Sequence, residues 1–209
     1  MNYLAHLYFA DANPESLIGS LMGDFAKGPL DSRLAPAISQ GILQHRKIDA
    51  FTDTHPWVIA SKRRLRPTFR HYRGLLVDIF YDHFLARHWP QYSSVSLVCF
   101  CRRAYQIFQD HYQSFPISMQ HSVNYMIRTD LLVSYTQLAG IARTLQGIET
   151  RLRRPYPLRS AMLDLKQNYT ALAADFKHFF PELIAYVARL KTATTTFVSY
   201  ATITNHGIA

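Results

Sequence analysis

Apolar residues recur every three to four positions through most of the chain, and that period decides what it can fold into. The densest stretch is GLLVDIFYDHFLARHW at 74–89, where Leu75, Leu76, Val77, Ile79, Phe80, Phe84 and Leu85 predict a buried helix. Two aspartates and a histidine interrupt it, as DIFYDH at 78–83. Asp is a poor helix-interior residue, and a buried carboxylate is costly unless paired or bound to metal. Either those aspartates lie on a wet face, or they hold something.

The same period predicts helices elsewhere. Ile38, Ile42, Leu43, Ile48 and Phe51 mark one over 37–53, and Pro56 and Pro67 bracket another over 57–66. The strongest covers 72–88 and ends near Pro90. Ser93 or Ser94 would cap the next, which carries Leu97, Phe100, Ala104, Ile107 and Phe108. A helix restarts after Pro116, a further one runs over 130–146, and the last long one covers 158–190, with Pro181 bending or dividing it. No strand-and-hairpin pattern appears before the C-terminal tail. The expected fold class is therefore all-α, a single-domain multi-helix bundle over 1–190. The tail at 191–209 ends in TATTTFVSYATITNHGIA, too polar to span a bilayer. It is expected to be poorly ordered, with a short terminal strand as the competing reading.

A hydrophobic content of 48% argues for a folded protein, while a net charge of +9 and a pI near 9.7 argue for an acidic partner. Nucleic acid, an anionic membrane and an acidic protein all qualify. The basic residues cluster in KRRLRPTFRHYR at 62–73 and RLRRPYPLR at 151–159. Lys62, Arg63, Arg64, Arg66 and Arg70 could line one docking patch or a solvated helix face. Phe69, His71 and Tyr72 among them would suit single-stranded nucleic acid, but no recognised RNA motif is present. Cys99 and Cys101 lack the two-residue gap of redox and zinc motifs and read as small buried hydrophobes on a helix. With no secretory n-region before MNYLAHLYFA, a cytoplasmic location is expected.

His and Asp fall into three groups. His6 and Asp24 form the first; His45, Asp49 and Asp53, each four apart, form the second; Asp78, Asp82 and His83 form the third. An i,i+4 spacing stacks side chains on one helix face, where oxygens and an imidazole can converge on an ion. Eleven of the 14 acids are Asp, although surface helices favour Glu. A hard divalent ion held between helices would explain that concentration; ordinary i,i+4 pairing and arginine partners would also explain it.

Four motifs narrow the choice. MNYLAHLYFA, the Gly-Ser-Leu-Met-Gly-Asp-Phe of 19–25, the H-R-x-I-D-x-F-T-D of 45–53 and the D-x-x-x-D-H-F-L-x-x-H-W of 78–89 occur in order. Together they resemble the acyl carrier protein phosphodiesterase family. The Y-x-x-L-x-x-x-F-x-x-F-F-P of 169–181 looks like that family's C-terminal helix. The resemblance covers roughly residues 1–190. It implies an HD-domain-like helical enzyme, a divergent branch of the HD phosphatase/phosphodiesterase superfamily. Its reaction would hydrolyse holo-acyl carrier protein to the apo form plus 4′-phosphopantetheine. The implied cofactor is a divalent metal, Mn²⁺ by preference, with Mg²⁺ or another divalent ion as alternatives.

By the same resemblance, Asp24 is essential to the metal centre and His45, Asp49 and Asp78 are further ligands. Asp82, His83 and His6 would bind metal, orient it or transfer protons, with His83 or His6 protonating the leaving serine. The superfamily's adjacent His-Asp pair is absent: the order here is Asp82-His83, and three residues separate His45 from Asp49. Arg63, Arg64 and Arg66 would meet the acidic carrier protein. The implied substrate gives the positive charge a partner without nucleic acid. The alternatives are an HD-type phosphohydrolase acting on a nucleotide or other small phosphodiester, and a basic helical nucleic-acid-binding module.

Overall fold

Proline opens three of the first four helices, at the position where its missing N–H costs nothing. Those four are α1 (Tyr3–Phe9), α2 (Pro14–Met22), α3 (Pro36–Thr54) and α4 (Pro56–Arg64). They are followed by α5 (Arg73–Arg87), α6 (Leu97–Asp110), α7 (Ile117–Arg128), α8 (Leu131–Ser134) and α9 (Leu138–Glu149), then α10 (Met162–Gln167) and α11 (Tyr169–Thr204). The computed structural model describes residues 1–204, with side chains through 193, and no strand occurs among them. The chain is all-α, as the periodicity predicts. None of its described helices is long and apolar enough to cross a membrane.

The run at 75–85 is apolar because α5 is covered on several sides. Helices α1, α4, α9 and α11 all pack against it, and Leu76, Phe80, Tyr81, Asp82, His83 and Phe84 are fully buried. From α11, Phe176 and Phe179 close on the Tyr81 ring at 5.3 and 5.5 Å. Each fully buried aromatic of this kind contributes about 1.5–3 kcal/mol of transfer free energy. Helices α2 and α3 cross with their backbones in contact: a Cβ at Gly41 would stand 2.9 Å from the Gly19 Cα. That crossing carries the second and third motifs to one another.

Three helix boundaries differ from the sequence reading. Ser96, not Ser93 or Ser94, caps α6, its Oγ accepting from the Cys99 N–H at 3.2 Å. The helix expected over 130–146 breaks between α8 and α9, because the His83 Nδ1 pairs with the Tyr135 carbonyl oxygen at 2.7 Å. The last helix divides at Asn168 rather than at Pro181. There the Asn168 amide donates to the Asp164 carbonyl at 3.1 Å and closes α10. Buried Phe179, Phe180 and Leu183 hold α11 together across Pro181. Of the pair in VCFCRR, Cys101 is buried and Cys99 exposed. Of the tail at 191–209, residues up to Thr204 continue α11, and 205–209 lie outside the described residues.

Two buried acids fasten the C-terminal helices to the segment after α3. Asp175 on α11 accepts from the Ser61 hydroxyl and from the Arg64 guanidinium, both at 2.8 Å. Asp164 on α10 accepts the Arg66 N–H and its guanidinium, both at 2.9 Å.

Candidate metal centre

The site is assembled from short-range choices on α1, α2, α3 and α5. Helix α1 is only seven residues long, and Asp82 of α5 satisfies its first turn. The Leu4 N–H donates to Asp82 Oδ2 at 2.8 Å and the Ala5 N–H to Oδ1 at 3.0 Å. Burial pushes the Asp82 carboxyl up to about 7, against those two donors and the Met1 ammonium. With α1 fixed, His6 stacks on His45 of α3, ring centroids 3.6 Å apart and planes 11° from parallel.

Asp49 is the hub. Its Oδ1 lies 3.1 Å from His6 Nε2 and its Oδ2 3.2 Å from His45 Nε2, one turn back on α3. The Met1 α-amino group adds a contact to Asp49 Oδ1 at 3.1 Å and reaches Asp78 Oδ1 at 3.3 Å. Burial alone would raise the Asp49 pKa, but the two imidazoles and the ammonium hold it well below the usual carboxylate range. Asp24, at the end of the GSLMGDF motif, places Oδ1 at 3.8 Å from His45 Nε2. The glycine before it has a steric reason, since a Cβ at Gly23 would collide with the His45 ring.

The donor chemistry fits a divalent cation. His45 Nδ1 pairs with the Ser20 carbonyl at 2.8 Å, so it carries the proton and Nε2 turns toward Asp24 and Asp49. A lone pair aimed at two carboxylates is stable only with a proton or a cation between them. Asp24 and Asp49 accordingly raise the His45 pKa over the opposing effect of burial. Burial lowers His6 to about 3, leaving a neutral imidazole able to ligate. Asp78 Oδ1 is buried with the Met1 ammonium at 3.3 Å, and burial raises its pKa over the opposing effect of that charge. His6, His45 and Asp49 each offer a ligand atom within 4.8 Å of the others. Two imidazoles and three carboxylates suit manganese, iron or zinc better than a thiol-seeking metal.

The residues predicted from sequence therefore divide. His6, Asp24, His45, Asp49 and Asp78 lie around one centre. Asp82 spends both oxygens on α1, and His83 spends both ring nitrogens, on the Tyr135 carbonyl at 2.7 Å and the Tyr169 hydroxyl at 2.9 Å. Asp53 pairs with Lys62 at 2.8 Å. In the basic patch, Arg64 and Arg66 are engaged by Asp175 and Asp164, while Arg63 and Arg70 are exposed without an acidic partner among the described residues. The reading of single residues missed the Met1 amine, Gly23 and the Ser20 carbonyl. Gly23 alone left a trace, as the second glycine of GSLMGDF.

Comparison with known proteins bears on the chain as a whole. The family model described as acyl carrier protein phosphodiesterase matches residues 1–183. A protein named acyl carrier protein phosphodiesterase from Serratia proteamaculans is 34% identical over 185 residues, covering 88% of this chain and 96% of that protein. One of the same name from Photorhabdus laumondii is 33% identical, covering 88% and 93%. Another from Escherichia coli O157:H7 is 34% identical over 194 residues, covering 90% and 98%. No solved structure gives a significant match.

Proposed function

The chain belongs to the acyl carrier protein phosphodiesterase family, and from that premise we propose that it hydrolyses holo-acyl carrier protein to the apo form and 4′-phosphopantetheine. The observation that carries this reading is the convergence of His6, His45 and Asp49, with Asp24 and Asp78 beside them, on one centre. Those five residues would hold a divalent metal, Mn²⁺ by the family resemblance. When bound, it would neutralise charge on the phosphoryl group and make water a better nucleophile. An HD-like arrangement is part of the same reading, and so is a cytoplasmic location.

The chain's own residues have separable parts. Neutral His6 serves as a ligand rather than as the proton donor, since burial lowers its pKa to about 3. His45 is oriented by the Ser20 carbonyl, and Asp49 gathers both imidazoles. Asp82 and His83, with their polar atoms already paired, act as positioning residues. Asp82 sets α1 and hence His6; His83 ties α5 to the Tyr135 carbonyl and to Tyr169. Arg63 and Arg70 are exposed members of the basic patch without an acidic partner among the described residues and would meet the acidic carrier protein first. A small nucleotide substrate or a nucleic-acid partner gains no specific observation here.

The test is release of the arm from holo-carrier protein, followed by mass. Asp24→Ala and Asp49→Ala are expected to keep the helical circular dichroism, lose bound metal and lose release by at least about 10²-fold. Full turnover by either variant would remove this site from the reaction.

A further inference from the structure

A cleft of about 230 Å³ adjoins the centre, walled by α1, α5, α7, α8 and α9, and Asp24 stands in its wall. The cleft therefore opens onto the same carboxylate that faces His45. Leu75, Leu131 and Ile148 give it apolar lining, and Ser122 and Thr144 add hydroxyl-bearing residues to its wall. Arg151 borders it. This arginine is exposed, its guanidinium carbon 5.8 Å from the Tyr125 ring centroid and its Nε donating to the Gly147 carbonyl at 2.9 Å. Stacking and that one bond hold the guanidinium in place, yet no acid pairs with it among the described residues. Tyr3 shares the wall with both charges: burial raises its pKa to about 12, with Asp24 adding to the effect and Arg151 opposing it.

We infer that this cleft receives the pantetheine arm, and that Arg151 holds the arm's phosphoryl group on the side away from the metal ligands. The inference rests on the proposed activity and names the subsite it would use. A narrow cleft with one apolar wall and scattered hydroxyls matches a thin chain that carries methyl groups and amides. The charge arithmetic also matches. Water oxygen bonds to phosphorus, the phosphorus–oxygen bond to the serine breaks, and the serine oxygen takes up a proton. The phosphate stays on the arm as a monoester, a dianionic end that a stacked, acid-free arginine is suited to hold.

The experiment uses the metal-loaded full chain with calorimetric titration of 4′-phosphopantetheine and of pantetheine, alongside turnover of holo-carrier protein. Wild type is expected to bind the phosphorylated arm on the order of tenfold or more tighter than pantetheine, as one charge-assisted contact would give. Arg151→Ala should cut that preference by on the order of tenfold, leaving what the metal supplies; Arg151→Lys should restore part of it, and Ser122→Trp should weaken both ligands by filling the cleft. An undiminished phosphate preference in Arg151→Ala, or undiminished binding in Ser122→Trp, overturns the subsite. Binding that follows this pattern in a wild type unable to release the arm keeps the subsite and overturns the proposed reaction instead.

Discussion

Asp82→Ala removes the two acceptors that terminate α1, and its cost can be worked from the structure. The Leu4 and Ala5 N–H groups, now bonded at 2.8 and 3.0 Å, would be left in fully buried surroundings. An orphaned buried donor costs about 1–3 kcal/mol, and losing a capping acid about 0.5–2 kcal/mol. Relief of a buried polar carboxyl offsets part of that, so the net loss is roughly 2–4 kcal/mol near pH 5. For a chain of this size the midpoint of thermal unfolding should fall by roughly 5–15 °C. The loss should depend on pH in a definite direction. Burial raises the Asp82 carboxyl from 3.8 to about 7, so its native state keeps a proton that the unfolded chain releases. The stability this gives wild type is complete below pH 4 and fades as pH rises through 7, by a total on the order of 4 kcal/mol. The variant lacks that titration, so the gap between the two should narrow from pH 5 to pH 8. Urea unfolding of metal-free protein, followed at 222 nm across that range, measures it. A gap below about 0.5 kcal/mol at pH 5, or one that widens with pH, would refute the assignment of Asp82 as the anchor of α1.

Gly23→Ala drives a methyl group into the His45 ring, so metal content and turnover should drop while unfolding stability changes by about 1–3 kcal/mol; metal analysis of the folded variant checks this. Asp175→Ala leaves the Ser61 and Arg64 donors without their acceptor and should cost about 1–3 kcal/mol, less than a fully buried pair because Arg64 is 36% exposed. Arg64→Ala alone should cost less than Asp175→Ala, and equal urea midpoints would argue against that ranking. Charge reversal at Arg63 and Arg70 should raise KM for the carrier protein and flatten its salt dependence without moving the unfolding midpoint; unchanged KM values across salt would remove the docking surface.

The parts of the molecule that were readable in advance are those decided locally. Helix α5 announced itself because its sequence is apolar around most of its circumference, and the His45–Asp49 pair because four-residue spacing fixes a shared face. Decisions made across the fold left no such mark. Asp78 and Asp82 look equivalent one turn apart, yet one faces the Met1 amine and the other closes a different helix. The apolar period runs on through 130–146, and a hydrogen bond to His83, 52 residues earlier, falls where that helix stops. Arg64 and Arg66 belong to a basic run whose charge count is plain, while the acids that engage them lie about 100 residues downstream.

Helix α1 carries His6 toward the acids and Tyr3 into the cleft wall, on seven residues anchored by a single carboxylate. A cation on one side and an arm on the other would therefore both act on the placement of one short rod. Their affinities become linked through it, and linkage is symmetrical: whatever factor the cation adds to arm binding, the arm must add to cation binding. Spent product lingering in the cleft would then slow loss of the metal, and a protein stripped of metal would hold its product less well.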